Sequence, residues 1–107
     1  MELKELNKFI DEEIKKLKEY YQLKGDEELT LAMAIKIGEE FGELYNEVLA
    51  HKGYQRKDKL ENLNENEIEN EMADVILTTL ILSGRFNINI EEALKEKMNK
   101  IKMREYK

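Results

Sequence analysis

Two short acidic stretches hold the residues whose types and spacing suit chemistry. Glu39-Glu40-Phe41-Gly42-Glu43-Leu44 and Glu71-Met72-Ala73-Asp74-Val75 each set two carboxylates three residues apart, Glu40 with Glu43 and Glu71 with Asp74. On a helix that spacing puts both groups of a pair on one face. Both stretches are embedded among apolar residues. A carboxylate taken out of water is costly unless a positive charge offsets the lost hydration. Four of them at one helix–helix interface therefore point to a cation. Spacing alone does not make the case, because Glu2 and Glu5 repeat it in an ordinary setting. Position does: Glu40 falls on the apolar stripe of its helix with Glu43 at the border, Glu71 shares a face with Ile68, Val75 and Leu82, and Asp74 lies beside Leu77 and Ile81. The last two are expected to be shielded from water.

All-oxygen ligands suit a hard divalent ion, Mg²⁺ or Mn²⁺, and Mg²⁺ keeps open positions for water and substrate phosphates. A di-iron carboxylate bundle needs Glu-x-x-His motifs from two helices. The one histidine is His51, preceded three residues earlier by Val48, so that rival has no ligand set. His51 reads as a surface residue at a helix end. Lys36, one turn before Glu40, reads as its ion-pair partner.

The elements that must position these groups are helices. The chain has no proline, few glycines and abundant Glu, Lys and Leu, a helix-forming composition. Residues 2–23 carry Leu3, Leu6, Ile10, Ile14, Leu17 and Tyr21 in three- and four-residue steps, with Phe9 and Tyr20 widening the stripe. Lys24-Gly25-Asp26 breaks the pattern, Gly25 offering a left-handed cap and Asp26 an N-cap. Residues 27–52 carry Leu29, Met33, Ile37, Phe41, Leu44 and Val48, and Gly53 ends the segment; Phe41 reads as core. Residues 54–66 are polar and aperiodic, a long loop of the kind that is often functional, with Asn64 or Asn66 available to cap the next helix. Residues 67–86 are the most apolar, and a helix apolar all round is buried on all sides; in so small a chain a second subunit is the easiest cover. The Ser83-Gly84 to Asn87 stretch loosens its end. Asn89-Ile90-Glu91-Glu92 resembles a capping box ahead of residues 90–105, where Leu94, Met98 and Ile101 share one side. Lys97, Lys100 and Arg104 share a face as well. They suit a phosphate clamp, and they equally suit cations that offset a helix dipole. Arg85 is placed either to touch phosphate or to cap its helix. Tyr45 and Tyr54 are candidates to stack on a base, with packing the commoner use.

Composition narrows the function classes. Eighteen basic residues against 24 acidic give a net charge of −6, which argues against a nucleic-acid polymer as partner but not against a nucleotide held through a divalent ion. With no cysteine there is neither a disulfide framework nor a thiolate metal site. No apolar run approaches a membrane span, and Met1-Glu2-Leu3-Lys4-Glu5 is not a secretory signal, so a cytoplasmic address is expected. At 107 residues one domain, 1–107, is expected.

On the residues quoted, the chain resembles the MazG-like proteins of the all-α nucleoside triphosphate pyrophosphohydrolase superfamily. EEFGEL followed by EMAD on the next helix is similar to their EExxE…ExxD arrangement, and FNINIEEALKEKMNKIKMREY to their last helix, where a KxxKNxxR(Y) run follows. The resemblance covers residues 29–106. It implies an all-α four-helix bundle that assembles through helices 2 and 3 into a homodimer or homotetramer. It also implies Mg²⁺-dependent cleavage of a nucleoside triphosphate to the monophosphate and pyrophosphate, a house-cleaning of the nucleotide pool. By motif position the metal ligands are Glu40, Glu43, Glu71 and Asp74, and Glu39 orients or deprotonates the attacking water. Lys97, Lys100 and Arg104 then bind substrate. The chain departs from the pattern at Ile101, where the family has Asn. Lys36-Ile37-Gly38-Glu39-Glu40 also resembles the KVGEE of phosphoribosyl-ATP pyrophosphohydrolases, but their ADLLYH is here Ala73-Asp74-Val75-Ile76-Leu77-Thr78, without the histidine. The alternative of another class is a non-catalytic helical module that binds nucleotide or metal.

Overall fold

The computed structural model describes residues 1–21, 25–53 and 67–105. They form four helices, α1 (Leu3–Tyr20), α2 (Asp26–His51), α3 (Glu67–Arg85) and α4 (Ile90–Lys102), with no strand among the described residues. The described residues are therefore all-α, and each helix follows its periodic segment to within a few residues. The expectations for the loop 54–66, its tyrosine and the Asn64 or Asn66 cap lie outside the described residues.

Helix ends follow local chemistry, with one correction. Gly25, not Asp26, holds the cap position of α2, and its φ of −67° is not left-handed; the break at 24–26 works without a positive φ. Gly53, by contrast, does take φ +77° and closes α2 by donating to the Ala50 carbonyl at 3.0 Å. The end of α3 is firmer than the sequence suggests. Asn87 adopts φ 53°, tolerable for Asn. The Ile88 and Asn87 amides then donate to the carbonyls of Ser83 and Gly84 at 3.2 and 3.4 Å, which is the Schellman closure. The Asn89 side chain accepts from the Glu92 amide at 3.1 Å and so caps α4 as expected.

The main pairing is α2 against α3, with α1 laid on α3 and touching α2 less. Arg85, at the end of α3, donates to Thr30 Oγ1 near the start of α2 at 3.2 Å, while Glu71 on the first turns of α3 meets Glu40 and Glu43 farther along α2. The two helices are thus antiparallel. The buried apolar residues are Ile10, Leu29, Met33, Ala50 and Leu80. Hydroxyls within α3 are satisfied locally: Ser83, which is buried, donates to the Leu80 carbonyl at 2.6 Å, and Thr79 to that of Val75 at 2.8 Å. Gly84 sets the approach of α1, since a side chain there would collide with Ile14 Cδ1 and press on Ile10 Cγ2.

Much of the apolar surface stays uncovered. Helix α3 is not buried on all sides, because Met72 and Ile76 are exposed, Ile76 by 59%. Phe41 is not core either. It is 40% exposed and stacks on exposed Tyr45 with ring centroids 6.2 Å apart. Helix α4 buries no residue, leaving Leu94, Met98 and Ile101 open. The radius of gyration is 17.1 Å, against about 13 Å for a compact chain of this length. No helix among the described residues is long and apolar enough to cross a membrane.

Candidate metal and substrate site

The antiparallel α2–α3 pairing brings the two acidic stretches face to face. One carboxylate oxygen from each of Glu40, Glu43 and Glu71 lies within 4.8 Å of the others. Glu40 is 5% exposed and Glu71 8%, both buried, whereas Glu43 is exposed. Glu40 Oε2 and Glu71 Oε2 are closed off from solvent without a hydrogen-bond partner, a situation native proteins rarely leave unexplained. Asp74 departs from expectation. It is exposed on α3 and outside this close group, although Glu40 still acts on it. It lies at the edge of the α2–α3 contact rather than away from it, since its carboxyl hydrogen-bonds with that of Glu40 and Lys36 acts on it too.

The electrostatics follow from that crowding. Burial pushes the Glu71 carboxyl up from 4.5 to about 7, with the facing Glu43 adding next, then Glu40 and Asp74. Asp74 is also raised, first by desolvation and then by Glu40, with Lys36 pulling the other way. Lys36 Nζ lies 3.1 Å from Glu40 Oε1, as its spacing predicts, and also 3.5 Å from Glu39 Oε2. Its ammonium is raised above the usual lysine range by the hydrogen bond to Glu40 and by that residue's charge.

Whether these residues fit a divalent ion is decided by the donors. They are carboxylate oxygens on two rigid helices, two of them buried and unpartnered, and hard ions such as Mg²⁺ and Mn²⁺ take such a set. His51 does not join it. Its ring bonds to the Glu47 carbonyl at 2.8 Å, about 12 Å along α2 from Glu43 at the ordinary helical rise.

Beside the carboxylates runs a cleft of about 520 Å³ between α1, α2 and α3. Leu17, Tyr21, Met33 and Ile81 give it an apolar wall, and Lys36 and Glu39 line it too, which joins it to the acidic cluster. Nothing in the one-dimensional pattern marked this cleft, because its wall is drawn from three helices. Thr78 also borders it, with its hydroxyl donating to the Asp74 carbonyl at 2.7 Å. The basic residues of α4 are placed apart. Lys97, Lys100 and Arg104 are exposed, and no ion pair among the described residues links them to the carboxylates. Arg85, placed by its sequence to touch phosphate or cap its helix, reaches across to Thr30 on α2.

Residues 28–107 match the MazG nucleotide pyrophosphohydrolase domain, a span that takes in α2, α3 and α4 and leaves α1 outside. No curated protein and no solved structure matches the chain.

Proposed function

This chain belongs to the MazG nucleotide pyrophosphohydrolase family, and we propose that it hydrolyses a nucleoside triphosphate, with Mg²⁺ or Mn²⁺, to the nucleoside monophosphate and pyrophosphate. The observation that carries the reading is the pair of buried, unpartnered oxygens on Glu40 and Glu71, set beside a cleft large enough for a nucleoside. Glu40, Glu43, Glu71 and Asp74 hold the ion. A bound divalent ion neutralises phosphate oxygens and makes a water more nucleophilic. Glu39, exposed where cluster and cleft meet, orients the attacking water and takes its proton as the bridging P–O bond between the α- and β-phosphates breaks. The apolar wall receives the base.

Lys97, Lys100 and Arg104 clamp the phosphates. In this reading they reach the site within an assembly, because α4 buries nothing in the single chain. The open faces of α2, α3 and α4 are covered by further copies in a homodimer or homotetramer. The work suits a free enzyme of the cytoplasm that clears unwanted nucleotides.

The test is pyrophosphate release from a panel of ribo- and deoxyribonucleoside triphosphates with and without Mg²⁺. Glu40→Gln and Asp74→Asn are each expected to lower kcat/KM by more than the roughly 10–100-fold that follows loss of a ligand's outer hydrogen-bond partner. Undiminished turnover in both variants would place the site elsewhere. Tight metal binding without cleavage of any triphosphate would favour a binding module.

A further inference from the structure

We infer that Lys36 is a tethered counter-cation: it holds the acidic cluster together in the metal-free chain and leaves Glu40 for the cleft when a divalent ion arrives. The inference rests on the metal site proposed above.

Geometry carries it. The Lys36 side chain is 53% exposed, whereas that of Glu40, which it meets at 3.1 Å, is 7% exposed. An exposed, flexible stem therefore brings its ammonium to the Oε1 of a largely buried carboxylate whose other oxygen is closed off, a use open to lysine's long, unbranched chain. An ordinary surface pair does not account for this. Such pairs stabilise little, and a lysine placed N-terminal to its glutamate four residues on is the weaker orientation on a helix.

The charges do not balance. Glu40, Glu43, Glu71 and Asp74 act on one another, and Lys36 brings a single positive charge to them. It engages Glu40 Oε1 and leaves Oε2 of Glu40 and Oε2 of Glu71 without partners. A divalent ion supplies twice the charge and reaches the oxygens that Lys36 does not. The dication and the ammonium then repel each other across one carboxylate, and the tethered charge is the one free to turn away. Its second station already exists. Glu39 lies 3.5 Å from the same Nζ, is exposed, and lines the cleft with Lys36. Rotation of the terminal torsions takes the ammonium from the cluster to the cleft, where it meets an anionic oxygen of the ligand.

The experiment measures metal binding rather than turnover. Mg²⁺ and Mn²⁺ are titrated calorimetrically into the full chain and into Lys36→Met and Lys36→Arg. Lys36→Met is expected to bind both ions at least about tenfold more tightly, because one opposing charge is gone, and to melt lower without metal, with the gap closing when metal is added. Lys36→Arg keeps the charge and is expected to show no such gain. In the unmodified chain the Lys36 side-chain ¹⁵N resonance is expected to move as Mg²⁺ saturates the site. Unchanged or weaker binding in Lys36→Met, or a resonance that stays put, overturns the inference. If Lys36→Met does not fold, the resonance decides. Metal binding without these signatures overturns this inference alone; an unmodified chain that takes neither ion overturns the metal site as well.

Discussion

Replacing Glu71 by Gln removes the buried charge that the metal-free chain accommodates worst. The Glu71 carboxyl sits near 7 in the folded chain against 4.5 ordinarily, so between those values the folded state binds more protons than the unfolded one. Stability then falls as pH rises through that window. The contribution is fully present below 4.5 and gone above about 7. At about 1.4 kcal/mol for each tenfold change in proton affinity, the loss from about pH 5 to about pH 8 is on the order of 2–3 kcal/mol. The raised Asp74 carboxyl acts with the same sign from 3.8 upward, but the residue is exposed and solvent screens its share. The raised Lys36 contributes equally throughout this window and loses its share only as pH rises above 10.5. The assay is urea unfolding in excess chelator across this range. With slopes of about 1–3 kcal/mol per molar urea, the unmodified midpoint is expected to drop by about 1–2 M on going to the higher pH, and that of Glu71→Gln by much less. With Mg²⁺ at about 100 times its dissociation constant, the unmodified chain is expected to regain about 2.7 kcal/mol and the variant little. An unmodified chain whose stability is flat or rises between pH 5 and 8 without metal would refute the reasoning, as would a variant equally steep.

Other consequences follow from the packing. Gly84→Ala drives a methyl group into Ile14 and is expected to destabilise the fold by about 1–3 kcal/mol, read as a lower Tm; Ile14→Ala in the same chain is expected to return part of the loss. Asn89→Ala removes the α4 cap, at about 1 kcal/mol. Since α4 buries nothing in the single chain, the effect at low protein concentration is expected as faster amide exchange confined to α4, with Tm nearly unchanged. Ile76→Glu places a charge on the open face of α3, and light scattering is expected to show the proposed dimer or tetramer reduced to single chains.

How much was legible depended on what decides each feature. The order and extent of the four helices among the described residues were readable because periodicity and caps are local: Asn89 and Gly53 do what their types favour. Glu40 was readable as buried because it sits on the apolar stripe of its own helix. Asp74 was misjudged for the complementary reason. On a helix apolar nearly all round, the sequence ranks every face alike, and which one is closed off is set by the helix laid over it. Glu71 is closed off while Asp74, Met72 and Ile76 stay open, Asp74 even as its carboxyl bonds with Glu40 of α2. Phe41 failed similarly, since its stripe on α2 is wider than the strip that α3 and α1 cover. The contrast between Glu71 and Asp74 has a chemical sense. An ion bound only by buried carboxylates would be shut away from a phosphate, and one bound only by exposed ones would be held against water's full competition. The proposed ligand set, with Glu40 and Glu71 inside and Glu43 and Asp74 exposed, would avoid both extremes and leave a bound ion within reach of a phosphate. The uncovered α3 face that hid this from a one-dimensional reading is the same surface that a second copy is proposed to meet.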